Sequence, residues 1–282
     1  AADALERERD RLKAVLAAMP RATVFMGVPK LYVRMLAEPS LTKEQAAHMR
    51  LFISGSAPLL IETFNEWRNR TGHTIVERYG MSETAMLTSN PCRPEDGERR
   101  GGTVGFPLPG VSVRVRGEDG ADLPAGEIGA IQVAGPNVFG GYWQMPEKTK
   151  EEFTADGFFK TGDVGLCDER GYFTIVGRSK DLIISGGYNV YPAEIEGYIN
   201  DMPGVAESAL VGVPHPDWGE TPVAFAVLAP GAERDAVLAA ANARLGKTQR
   251  ISALHVVDQL PRSAIGKVLK RELRDRLSAQ SA

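Results

Sequence analysis

Two cysteines, four histidines and no long apolar run make this a chain bounded first by what it lacks. Cys92 and Cys167 stand far apart without zinc-site spacing, and a disulfide framework needs more than two thiols. Cysteine use this sparse points to a reducing, cytoplasmic setting. His48, His73, His215 and His255 form no HExxH pattern or paired cluster, so a histidine-rich metal centre is excluded. No apolar stretch approaches the roughly 20 residues of a membrane-spanning helix. No signal-peptide pattern stands ahead of the first helical stretch. An excess of positive charge is missing too: the net charge is −3, which gives no footprint for nucleic acid.

What is present is a globular composition, 43% hydrophobic and 24% charged over 282 residues, with room for two domains. The chain begins at Ala1, so either an initiator was removed or this is a piece of something longer. Residues 1–19 read as a helix with Leu5, Leu12, Val15, Leu16 and Met19 along one side. Residues 21–29 read as a buried strand ending at Pro29, and residues 30–36 as the start of a helix. Leu51 to Leu59 reads as strand, small-residue loop and helix. The helix over 60–70 stops at Gly72. A strand from Thr74 runs into Tyr79-Gly80-Met81-Ser82-Glu83-Thr84. Strands at 111–116 and 128–133, separated by Gly/Pro turns, suggest a small β-barrel.

The pivot is the stretch GYFTIVGRSKDLIISGGYNVYPAEIE, residues 171–196. An alternating aromatic and β-branched strand leads to Gly177, then Arg178, Lys180 and Asp181 crowd charge into a short joint. A second strand ends at Gly186-Gly187, and Pro192 opens a helix. Beyond it, helices at 195–202 and 235–245 and strands at 207–213, 223–228 and 252–257 predict a three-stranded sheet with helices on it.

Four motifs together carry a family resemblance: Tyr79-Gly-x-Ser-Glu-Thr84, Thr161-Gly-Asp163, Gly177-Arg-x-Lys-Asp with Gly186-Gly-Tyr-Asn-Val-Tyr-Pro, and Pro261-x-x-x-x-Gly-Lys267. Read alone, Thr161-Gly162-Asp163 is a turn, Lys267 a solvated lysine and Arg34 a surface arginine. Read together and in this order, the chain from about Val15 onward resembles the adenylate-forming enzymes, the acyl-CoA synthetases in particular, and within them the malonyl-CoA synthetases.

The resemblance implies an α/β plus α+β fold: residues 1–177 as the C-terminal part of a large AMP-binding domain and residues 178–282 as a small mobile lid turning about Lys180. It implies that Tyr79 stacks on adenine beside Ser54, Gly55, Ser56, Ala57, Glu77 and Gly80. Glu83 would help hold Mg²⁺, Thr84 would bond the α-phosphate, and Asp163 and Arg178 would meet the ribose. These roles suit flat rings, hard carboxylates and hydroxyls. Lys267 would bridge the attacking carboxylate and the phosphate, and Lys267 is also where a lysine acetyltransferase acts in some relatives. Gly186 and Gly187 would let the pantetheine of coenzyme A pass close to the backbone. Arg34 and Arg78 point to a dicarboxylate, since a buried guanidinium beside an alkyl chain would be costly. The reaction implied is malonate, ATP and coenzyme A going to malonyl-CoA, AMP and diphosphate, with another carboxylic acid as the runner-up. The family's Gly/Ser/Thr-rich phosphate loop has no counterpart here. The expectation is therefore a C-terminal portion with little synthetase activity of its own, or a nucleotide-binding remnant.

Overall fold

The structure is a computed structural model that describes residues 12–263 and 267–280. The expected helix over 1–19 falls partly outside these; residues 12–18 are helical (α1) and pass into a 3₁₀ turn at Met19–Arg21. The chain divides into two compact units, 1–161 with 165–175, and 162–164 with 176–282.

In the first unit five strands form a sheet in sequence order: β1 (Val24–Gly27), β2 (Leu51–Ser54), β3 (Ile75–Met81), β4 (Ala85–Ser89) and β5 (Phe106–Pro107). β1, β2 and β3 run parallel, connected by α2 (Pro29–Leu36), α3 (Lys43–Ala46) and α4 (Ile61–Thr71). Parallel neighbours need such crossovers. Pro29 sits at the first turn of α2, and α4 ends at Gly72 in the left-handed conformation, φ +77°. The core under the helices centres on Trp67, with Tyr32 and Phe52 edge-on to it, each 4.9 Å away between ring centroids. β1 is the edge strand rather than a buried one: Met26 is 58% exposed. Its apolar composition does not distinguish an edge from a centre.

A second sheet has the order β6 (Ser112–Arg116), β7 (Gly129–Ala134), β8 (Phe159–Cys167) and β9 (Phe173–Arg178). The division between the units runs through β8 and β9. Among the described residues this sheet is open, so the expected small barrel does not close. Four strands are too few to wrap around a side-chain interior. α5 (Pro146–Glu152) precedes β8.

The second unit carries β10 (Ile183–Ser185), β11 (Tyr188–Val190), β12 (Val205–His215), β13 (Gly219–Leu228) and β14 (Ala253–Val256), with α6 (Pro192–Asn200), α7 (Arg234–Arg244) and α8 (Lys270–Gln280). The sheet is larger than the three strands expected, because β10 and β11 form a hairpin that joins β13 at Ser185–Gly219. Gly186 and Gly187, read as a stop, are the hairpin's turn. Both have positive φ, +58° and +79°, which a two-residue turn matched to strand twist requires. Alternation along β12 splits the core. Leu210 packs with Ile195, Ile199 and Val237, while Ala209 and Val211 pack with Phe225 and Leu273.

Candidate functional site

In the first unit the candidate residues gather at the ends of β2 and β3. Ser54 and Glu77 are register partners on these parallel strands, and both are buried. Gly55, Ser56 and Ala57 follow as a loop, with Ser56 at φ +70° and Ser56 and Ala57 exposed. Glu77 Oε1 accepts the Leu59 N–H at 3.0 Å, so this carboxyl tethers the far end of that loop. Burial pushes Glu77 up to about 8, against the lesser opposing pull of the Leu59 bond. Its Oε2 and the Ser54 hydroxyl are buried without hydrogen-bond partners.

Tyr79 lies on β3 against the apolar cluster around Leu87 and Ile131. The β3–β4 ladder slips by one at Tyr79/Gly80, and a Cβ on Gly80 would lie 1.9 Å from the Ala85 carbonyl oxygen. The glycine is therefore set by close backbone approach, which brings Ser82, Glu83 and Thr84 round in a tight turn. Thr84 is fully buried, and its N–H closes the turn on Met81 O at 3.1 Å. The Glu83 carboxylate accepts the Tyr142 hydroxyl at 3.2 Å. Tyr142 is held above its ordinary value, by burial first and by Glu83 second. No group of three or more acidic, histidine or cysteine side chains able to hold a metal occurs among the described residues. A single carboxylate nonetheless suits Mg²⁺, which keeps its waters and takes further oxygens from substrate phosphates.

Arg78 follows Glu77 on β3, and its Nη2 lies 2.9 Å from the Met26 sulfur on β1. The Gly55 Cα faces the Arg78 backbone, with 3.2 Å between an added Cβ and Arg78 O. Arg34 lies in the last turn of α2, half-buried.

In the second unit Arg178 Nε sits 2.8 Å from Asp163 Oδ1, with the aspartate side chain 7% and the arginine 40% exposed. The Ser179 hydroxyl donates to Gly162 O at 3.2 Å, binding the joint to β8 beside Asp163. The joint is a 3₁₀ turn, Ser179–Asp181, with Lys180 exposed and Asp181 paired to Arg274 of α8 at 3.0 Å. Lys267 is exposed. Its N–H donates to Ser263 Oγ at 3.2 Å and its carbonyl accepts from Ser263 N–H at 2.9 Å. Gly266 of the same motif lies outside the described residues. Beside Gly186 stand Trp218 and Tyr188, with Lys247 over the Trp218 ring at 5.6 Å.

None of the motifs singled out from the sequence includes Asn137 or Tyr142. Both bond to the Glu83–Thr84 turn.

The described residues thus hold a buried carboxyl on β3 at Glu77, a tight bend at Gly80 and, in the second unit, a buried aspartate paired with Arg178. The chain belongs to the adenylate-forming enzymes: the family models for AMP-binding enzyme and AMP-binding enzyme C-terminal domain match residues 4–143 and 194–267. Among its relatives, a malonate–CoA ligase of Arabidopsis thaliana is 39% identical over 279 residues, covering 92% of this chain and 45% of that protein. A long-chain-fatty-acid–CoA ligase of Bacillus subtilis is 37% identical, covering 90% and 45%. The ATP-bound crystal structure of MatB from Rhodopseudomonas palustris superposes with a TM-score of 0.87 at 56% identity, covering 94% of this chain and 53% of MatB. The chain thus spans about half the length of the relatives it matches. No helix among the described residues is long and apolar enough to cross a membrane.

Proposed function

We propose that this chain carries the adenylate-binding and lid portions of a carboxylate–CoA ligase whose acid is malonate. In the reaction, a malonate carboxylate oxygen attacks the α-phosphorus of ATP and the bond to diphosphate breaks. The coenzyme A thiolate then attacks the acyl carbon, and AMP departs. Tyr79 offers a ring face to adenine, with the Ser54–Ala57 loop beside it and Glu77 tethering that loop. Asp163, oriented by Arg178, takes the ribose hydroxyls through its two acceptor oxygens. Thr84 bonds the α-phosphate, and Glu83 is the carboxylate that would hold Mg²⁺, which neutralises phosphate charge when bound. Lys267 offsets the charge that builds as two anions approach. Gly186 and Gly187 border the coenzyme A path, and residues 178–282 act as a lid turning at Lys180. Two free cysteines, Cys92 and Cys167, agree with a cytoplasmic setting. Lys267, being exposed, is open to an acetyltransferase.

The observation that supports malonate is the pair of arginines: Arg78 on β3, whose Nη2 lies 2.9 Å from the Met26 sulfur of β1, and Arg34 on α2, the helix that follows β1. Similarity to malonate–CoA ligases agrees with it, whereas the fatty-acid relative keeps the acid itself open to test. The test is binding of two non-hydrolysable acyl-adenylate analogues, malonyl- and octanoyl-sulfamoyl adenosine, to the 282-residue chain. Malonyl should bind at least roughly tenfold tighter, about 1.4 kcal/mol. Arg78→Ala and Arg34→Ala should each erase that preference while sparing the octanoyl analogue. Equal binding of the two analogues by the unmutated chain would overturn malonate as the acid.

A further inference from the structure

The turn that carries Glu83 and Thr84 is three residues long, and a turn that short does not hold two side chains in place by itself. Both of its functional residues are gripped through their backbone carbonyls. Asn137 Nδ2 donates to Thr84 O at 2.7 Å and to Met86 O at 3.0 Å. The Phe139 N–H donates to Glu83 O at 2.8 Å. Tyr142 then reaches the Glu83 carboxylate itself. Four bonds thus come from one six-residue segment, more than 50 residues away in sequence.

The segment is anchored on its other side. The Phe139 ring packs edge-on to Tyr142 at 4.9 Å and to Phe159 at 5.3 Å. The Tyr142 N–H donates to Thr149 Oγ1 at 2.9 Å, so the Tyr142 backbone is tied to α5 while its ring packs on Phe139. Asn137 Oδ1 is buried without a hydrogen-bond partner, so the amide is seated by what its NH₂ group donates to the turn.

We propose that residues 137–142 form a brace that holds the Glu83–Thr84 turn in its working shape, with Tyr142 the positioning residue for the Glu83 carboxylate. This rests on the reading of Glu83 as the magnesium-facing carboxylate. A carboxylate fixed through one oxygen presents its charge in one direction, which lowers the cost of gathering a hydrated cation and a triphosphate around it. Tyr142 touches neither substrate nor metal in this scheme, and acts through Glu83.

The experiment uses the 282-residue chain and the Tyr142→Phe and Asn137→Ala variants. ATP binding is followed across a Mg²⁺ series, and AMP binding is followed without metal. Tyr142→Phe should need roughly tenfold more Mg²⁺ for half-maximal ATP binding. Its metal-free AMP affinity should not change, a split that simple loss of structure would not give. Amide exchange in the ligand-free protein supplies the second readout. Asn137→Ala should speed exchange at Phe139 and Thr84 by roughly tenfold, with Ile131 in the adjoining sheet unchanged. An unchanged Mg²⁺ dependence in Tyr142→Phe overturns the role of Tyr142, and unchanged exchange in Asn137→Ala overturns the brace. If the unmutated chain binds neither nucleotide, the proposed function falls for this chain, and the exchange rates still decide the brace.

Discussion

Arg178 Nε stands 2.8 Å from Asp163 Oδ1, joining the first residue after Gly177 to the last residue of Thr-Gly-Asp. The aspartate is buried and the arginine 40% exposed, so the pair places a fixed carboxylate behind a partly wet guanidinium. A lysine at 178 keeps the charge and loses the Nε donor and the planar fork. Arg178→Lys should therefore weaken AMP binding several-fold while leaving thermal unfolding nearly unmoved, since an exposed partner contributes little to stability. Calorimetric titration beside a melting curve checks both halves.

Glu77 gives the fold a pH dependence of calculable sign. Its carboxyl stays protonated in the folded chain until about 8, against an ordinary value of 4.5. Between those values the folded state holds a proton that the unfolded chain releases. Stability from this group is therefore complete below 4.5, declines by about 1.4 kcal/mol per pH unit above it, and levels off past 8. Glu77→Gln keeps an acceptor for Leu59 N–H and cannot ionise. Its melting temperature relative to the unmutated chain should rise steadily from pH 5 to pH 8. A gap that stays constant with pH would contradict the burial of this carboxyl.

Two glycines should respond very differently to alanine. At Gly80 a Cβ would lie 1.9 Å from Ala85 O, an overlap the β3–β4 turn can relieve only by moving. Gly80→Ala should cost about 3 kcal/mol or more and abolish nucleotide binding. At Gly187 nothing lies within 4 Å, and only its φ of +79° opposes a side chain. Gly187→Ala should cost about 1–2 kcal/mol and leave AMP binding intact. Denaturant midpoints of the two variants separate a steric demand from a conformational one.

The hydrophobic centre of the first unit makes a sharper stability claim. Trp67 is fully buried with Tyr32 and Phe52 against it. Trp67→Ala should cost about 3–5 kcal/mol and unfold that unit. Chemical unfolding followed by circular dichroism reports it.

What the sequence made legible was local. Pro29 and Gly72 mark helix ends, and Gly80 sits in a motif that the sequence displays. What stayed hidden was long-range. The outer place of β1 depends on which strand lies beyond it, and the open second sheet on how many strands share its curvature. The Gly186-Gly187 pair gives the same punctuation for a strand end as for a hairpin turn, and only the pairing of Ser185 with Tyr188 tells them apart. Tyr142 carries no local signal at all, because its partner Glu83 is 59 residues away. Tyr79, Gly80, Asp163 and Arg178 stand in short motifs that the sequence displays; the side chains that bond to Glu83 and Thr84 do not.

The central claim is that Asp163 recognises the ribose of a bound adenylate. The most direct measurement compares AMP with 2′,3′-dideoxy-AMP on the unmutated 282-residue chain and on Asp163→Ala. The account predicts that the unmutated chain prefers AMP by roughly tenfold or more, about 1.5–3 kcal/mol for hydrogen bonds to a charged acceptor, and that Asp163→Ala binds both equally. A preference for AMP that survives in Asp163→Ala, or no preference in the unmutated chain, would contradict it.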